Sequence, residues 1–300
     1  MEPKKSHKNF LPILNLGTWS RFYAVKSTLD KILDNFGEND PNLKVNIISL
    51  GAGYDTMYFL LKQKFTNLKY IEVDYKQVTT KKIALIQKSN MLKSIITNSD
   101  QNMQVDEGDD RNFRIEANSN FYSEDYCILD CDITDSDKFL EKLNQLPGFD
   151  KSALTIIIAE CLLVYIKKET TYLILENLQK NFENIIVLEY DLIGANDSFG
   201  KEMILNLHDR GIKLFGYQDI PDSKAQRKRL EEIGLVQCEV ISMLDYYDKQ
   251  ISPMEKNRTK HLELFDEFEE FNLLQSHSCF GYGARLEEKY EYLYDVLKFE

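Results

Sequence analysis

The chain has 300 residues, 43% hydrophobic and 29% charged, enough to bury a full core and short enough for a single α/β domain over residues 1–300. Its formal net charge of −12 speaks against nucleic acid as the main partner, and no stretch reaches the roughly 20 apolar residues of a membrane span. Five cysteines set mostly in apolar runs and four scattered histidines form no metal-ligand pattern and fit reduced thiols of a cytoplasmic or nuclear protein, expected as a monomer.

In chain order, the first clear strand signal is residues 45–50, a short β-branched run that ends in "GAGYDT". Glycines at 51 and 53 let backbone approach a ligand closely, although a tight turn alone would also use them. The dinucleotide pattern G-x-G-x-x-G is incomplete, because Thr56 stands where the third glycine would be. A helix to about residue 64 follows, then a strand at 68–73 and a helix over about 76–92. Residues 98–120, rich in Asp and Asn, read as a long mobile surface loop. Strands follow at 126–131, 154–159 and 185–189, each with an amphipathic helix after it. The basic run "KAQRKR" at 224–229 reads as the solvated face of a helix. Two more strands, at 235–243 and 277–286, flank the acidic amphipathic run "HLELFDEFEEFNLLQ". The alternation predicts an α/β fold with a mostly parallel sheet of seven strands and helices on both faces.

Ligands of open α/β sheets bind outside the carboxyl ends of the strands. The first of these ends carries Gly51 and Gly53. The second carries Asp74, about 20 residues after the glycines, where a carboxylate can accept both ribose hydroxyls. The third carries Asp132 and Ile133, whose groups can hydrogen-bond an adenine edge, and the fourth carries Glu160 after a run too apolar for an idle charge. Each also has a structural explanation: Asp74 as a helix cap, Asp132 as an Asx turn, Glu160 as a surface carboxylate or the partner of a buried arginine. Taken together at four successive strand ends they describe a nucleoside site whose turn is too small for a diphosphate, which points to S-adenosylmethionine.

The stretches "NLGTWSRFYAV", "NIISLGAGYDT", "YIEVDY", "DCDITD", "IAECLLVYI" and "NDSFGKEMILNL", in this order and spacing, resemble the leucine carboxyl methyltransferase family from about residue 14 to residue 285. The resemblance implies a class I methyltransferase that esterifies the C-terminal leucine of the catalytic subunit of type 2A protein phosphatase. It places Arg21, Gly51, Asp74, Asp132, Ile133 and Glu160 on the S-adenosylmethionine contacts. Arg21 and Tyr165 are the expected catalytic residues, the first holding a carboxylate and the second orienting the acceptor. Members of that family carry a further N-terminal segment with a lysine that reaches the methionine carboxylate and a lid. Here about 20 residues precede Arg21, and Lys4, Lys5 and Lys8 are not matched to that lysine, so the expectation is either a chain shortened at this end or a reduced cofactor clamp. Alternatives are the related carboxyl methyltransferase of tRNA wybutosine synthesis, a non-catalytic phosphatase-binding relative, and an NAD-dependent oxidoreductase.

Overall fold

The computed structural model describes residues 11–39, 44–97 and 113–299. A long first helix, α1 (Pro12–Asn39), precedes the first strand. The strands are β1 (Val45–Leu50), β2 (Leu68–Asp74), β3 (Phe113–Glu116), β4 (Asn120–Ser123), β5 (Tyr126–Asp130), β6 (Leu154–Glu160), β7 (Ile185–Leu192), β8 (Gln237–Ser242) and β9 (Ser278–Arg285). The other helices are α2 (Met57–Leu61), α3 (Lys76–Lys88), α4 (Asn90–Thr97), α5 (Ser136–Asn144), α6 (Lys168–Asn181), α7 (Ser198–Asp209), α8 (Ser223–Glu232), α9 (Met243–Asp245), α10 (Pro253–Lys260), α11 (Phe268–Ser276) and α12 (Tyr292–Leu297).

Among the described residues, nine strands lie in one sheet, in the order β3-β4-β5-β2-β1-β6-β7-β9-β8. The five in the middle, β5-β2-β1-β6-β7, pair in parallel, and both margins pair antiparallel. Central strands with helices on both faces must be apolar on both sides, and every residue of β1 is buried. Successive side chains then feed opposite cores. Ile47 packs with Leu29 and Ile32 of α1, whereas Ile48 packs on the face covered by Phe139 of α5 and Ile174 of α6. Helix starts are fixed by Asp caps, which satisfy otherwise orphaned N–H groups: Asp135 Oδ1 accepts from Lys138 N at 3.3 Å and Asp222 Oδ1 from Ala225 N at 2.8 Å.

Three expectations are corrected. The sheet has nine strands rather than seven, because residues 113–116 and 120–123 pair as an antiparallel hairpin on its edge. That hairpin replaces the last part of the predicted surface loop; residues 98–112 lie outside the described residues. Its turn puts Ala117 and Asn118 at φ 50° and 56°, a left-handed conformation that Asn tolerates well. Within "KAQRKR", Arg227 and Lys228 are solvated as expected but Arg229 is buried, its Nη2 2.9 Å from Glu189 Oε2. All five cysteines are free, and four of them are buried.

Candidate active site

The chain runs β1, β2, β5 towards one edge and then crosses to β6 and β7 on the other side of β1, so the order reverses between β1 and β6. A crevice forms at such a reversal. There β1 gives way to Gly51 and Gly53 at φ 61° and 54°. An L side chain at position 51 would be strained twice, since its Cβ would also come within 2.7 Å of Leu162 Cδ1. Gly53 N donates to Asp74 Oδ2 at 2.7 Å and Tyr75 N donates to Asp74 Oδ1 at 2.7 Å. The end of β2 thereby tethers the glycine turn. The two bonds fix the carboxylate plane while each oxygen keeps a second acceptor position.

Arg21 reaches the same crevice from α1. Its Nε lies 2.5 Å from Glu160 Oε1, at the end of β6. Its Cζ lies 5.4 Å from the ring centre of Tyr190, the residue paired with Glu160 across the β6–β7 ladder. Burial raises the pKa of Glu160, the Arg21 charge lowers it again in part, and Asp55 nearby adds to the rise. Burial is the largest single influence and opposes the Arg21 charge, yet Glu160, Tyr190 and Cys161 together outweigh it and the guanidinium pKa is raised. A cavity of about 390 Å³ opens here, walled by Thr18, Arg21, Phe22, Gly51, Asp55 and Glu160. Its size suits a nucleoside-sized ligand.

Of the expected site residues, Arg21, Gly51 and Glu160 wall one cavity and Asp74 is bonded to its turn. Asp132 and Ile133 follow β5, two strands from β1, and lie outside that wall. The exposed Asp132 makes a local turn, its Oδ1 accepting from Thr134 N at 3.0 Å and Thr134 Oγ1 at 2.8 Å. Exposed Tyr75 stands close to both it and Asp74: its pKa is raised by burial and then by the charges of Asp132 and Asp74. Tyr165 lies beyond the end of β6. It ends a 3₁₀ turn, Leu163–Tyr165, is 42% exposed, and also lies outside the cavity wall. Burial first, and then Cys161, push its phenol up to about 12, so it is a neutral donor at neutral pH. Lys4, Lys5 and Lys8 lie outside the described residues. A larger hollow of about 830 Å³, lined by Lys44, Lys62, Arg114 and Asp125 among others, sits at the amino end of β2 and carries none of the strand-end carboxylates.

Sequence reasoning missed Thr18, Phe22, Asp55 and Tyr190. Thr18, Arg21 and Phe22 share the i, i+3, i+4 spacing of one helix face, which would have exposed Thr18 and Phe22. Tyr190 follows directly on the predicted strand 185–189 and carries no such signal.

A nucleoside-sized crevice at the reversal point of this sheet, with glycines on the first strand end and carboxylates on the second and fourth, is the architecture of a class I S-adenosylmethionine-dependent methyltransferase. The plantazolicin methyltransferase BamL, solved with S-adenosylhomocysteine, shares the fold at a TM-score of 0.51, covering 91% of this chain and 89% of that one at 10% identity. Residues 4–179 match the family model described as leucine carboxyl methyltransferase, and the chain belongs to that family. It is 34% identical over 275 residues to the leucine carboxyl methyltransferase 1 homolog of Arabidopsis thaliana, covering 91% of this chain and 77% of the relative. It is 28% identical over 268 residues to the human tRNA wybutosine-synthesizing protein 4, covering 89% of this chain but 37% of that protein.

Proposed function

We propose that this protein transfers the methyl group of S-adenosylmethionine to the C-terminal leucine carboxylate of the type 2A protein phosphatase catalytic subunit. The observation that carries the reading is Arg21, a guanidinium anchored on Glu160 at 2.5 Å inside the strand-end cavity, where a carboxylate would be recognised. The positive-φ turn at Gly51 and the oriented Asp74 carboxylate fit the nucleoside of this donor, with Asp74 on the ribose hydroxyls and Asp132 and the Ile133 amide on the adenine. When bound, S-adenosylmethionine supplies a methyl group activated on a sulfonium.

The protein's own work is alignment. A terminal carboxyl has a pKa of about 3.3–3.7 and is ionised at neutral pH, so no residue has to remove a proton from it. Arg21 holds a carboxylate by its planar fork, which matches two oxygens at once. Tyr165, outside the cavity wall, is the candidate donor for orienting the acceptor. Holding nucleophile and electrophile in line can contribute roughly 7–11 kcal/mol to the rate.

The test is transfer of radiolabelled methyl from S-adenosylmethionine to the phosphatase catalytic subunit with and without its last leucine. Label that appears on the intact subunit and vanishes on deletion supports the reading. The similarity to the wybutosine-synthesizing protein makes tRNA the second substrate to offer. The net charge of −12 weighs against it, because binding of a phosphate backbone draws on clustered Lys and Arg.

A further inference from the structure

Arg21 is held on two sides by one pair of residues. Glu160 and Tyr190 are direct partners across the β6–β7 ladder, and the ladder continues past them with Cys161 N donating to Tyr190 O at 2.7 Å. Glu160 takes the Nε edge of the guanidinium at 2.5 Å. Tyr190 presents its ring face 5.4 Å from Cζ, within the range in which a cation is drawn to the negative face of an aromatic ring. The ring is itself partly buried against the core, and its hydroxyl lies near Ser278 on β9. A guanidinium has five N–H donors in one plane. With its Nε edge on Glu160 and one face over Tyr190, the guanidinium keeps its two terminal nitrogens for a ligand in the cavity that Arg21 helps to wall. A salt bridge to Glu160 alone would let the plane rotate about the Nε contact; the ring removes that freedom.

We propose that Tyr190 is a positioning residue: its ring face sets the plane of Arg21 so that the terminal nitrogens meet a ligand carboxylate bidentately. The inference rests on the reading of Arg21 as the carboxylate-holding residue. It assigns a function to a side chain that makes no contact of its own with the reacting atoms.

Two ligands separate the possibilities by calorimetric titration of the full chain. S-adenosylhomocysteine carries a carboxylate, and 5′-methylthioadenosine shares its nucleoside without one. Tyr190→Phe keeps the ring face and is expected to bind both ligands within about twofold of wild type. Tyr190→Leu loses the face and is expected to bind S-adenosylhomocysteine about three- to thirtyfold more weakly, with 5′-methylthioadenosine unchanged. Tyr190→Met, also without a ring, replaces the leucine variant if that one does not fold. Equal loss of both ligands would mean that the ring serves only the fold, and a phenylalanine variant as weak as leucine would mean that the hydroxyl matters instead; either overturns the proposal. Arg21→Ala is the control for the underlying reading. If it weakens only S-adenosylhomocysteine while Tyr190→Leu changes nothing, Arg21 holds the carboxylate without help from Tyr190. If Arg21→Ala leaves the ratio of the two affinities unchanged, the reading of Arg21 itself fails and the proposal falls with it.

Discussion

Replacing Asp74 by Asn separates the carboxylate's two tasks. In the structure its two oxygens each accept a backbone N–H at 2.7 Å, one from Gly53 in the glycine turn and one from Tyr75 at the start of α3. An asparagine has a single acceptor oxygen, so one of those N–H groups would face an amide NH₂ group instead. The ribose hydroxyls would also lose their charged acceptor, and a hydrogen bond to a charged group contributes about 1.5–3 kcal/mol. At about 1.4 kcal/mol per factor of ten, the affinity for S-adenosylhomocysteine should fall roughly ten- to a hundredfold. Isothermal titration calorimetry reads this directly, with a thermal melt of the ligand-free variant as the control for folding. A variant that keeps the wild-type melting temperature and binds within twofold of wild type would refute the assignment of Asp74 to the ribose.

Four further outcomes follow from the same geometry. Cys161, next to Glu160, sits at φ 53°, a left-handed backbone that costs a non-glycine residue about 1–2 kcal/mol; urea denaturation should show Cys161→Gly within about 1 kcal/mol of wild type, the relief offset by the unfolded-state entropy of glycine, and Cys161→Val clearly destabilised. Burial raises Asp191 from 3.8 to about 7. The folded state therefore keeps a proton that the unfolded state loses, and wild-type stability falls as pH rises from about 4 to 7; relative to it, Asp191→Asn should gain on the order of 4 kcal/mol across that window, measured by denaturation at each pH, beyond a constant offset for the lost acceptor. Arg229→Met would leave Glu189 buried without its cation and should cost about 3–5 kcal/mol, most of which a second change, Glu189→Leu, should restore. Arg21→Lys keeps the charge but not the planar fork, and steady-state kinetics should show at least a tenfold drop in kcat/KM.

The parallel core was legible in the residues because strands covered on both faces are rich in β-branched and other apolar residues: β1 has the predicted bounds, and β2 and β6 each extend the predicted run by the one acidic residue that enters the site, Asp74 and Glu160. The edge hairpin was not legible. Its residues alternate between half-buried and exposed in β3, and it closes through Ala117 and Asn118 in a polar stretch, so its composition is that of a loop. Helix α1 went unread as an element although Arg21 was singled out, for its buried positions, among them Ala24, Leu29, Ile32 and Leu33, are interleaved with charges along 28 residues. Strand ends announce site residues by placing a charge or a glycine where an apolar run stops. Tyr190 gives no such notice, because an aromatic at the end of a strand looks the same whether it fills a core or faces a guanidinium.

The central claim is that a carboxylate at the end of a polypeptide receives the methyl group. The most direct measurement is mass spectrometry of the C-terminal peptide of the phosphatase catalytic subunit after incubation with this protein and S-adenosylmethionine, before and after mild base. The account predicts one added methyl group located on the terminal leucine, released as methanol by base, as an ester must be. A methyl group that resists base, or that appears on an internal residue or on tRNA while the terminal leucine stays unmodified, would contradict it.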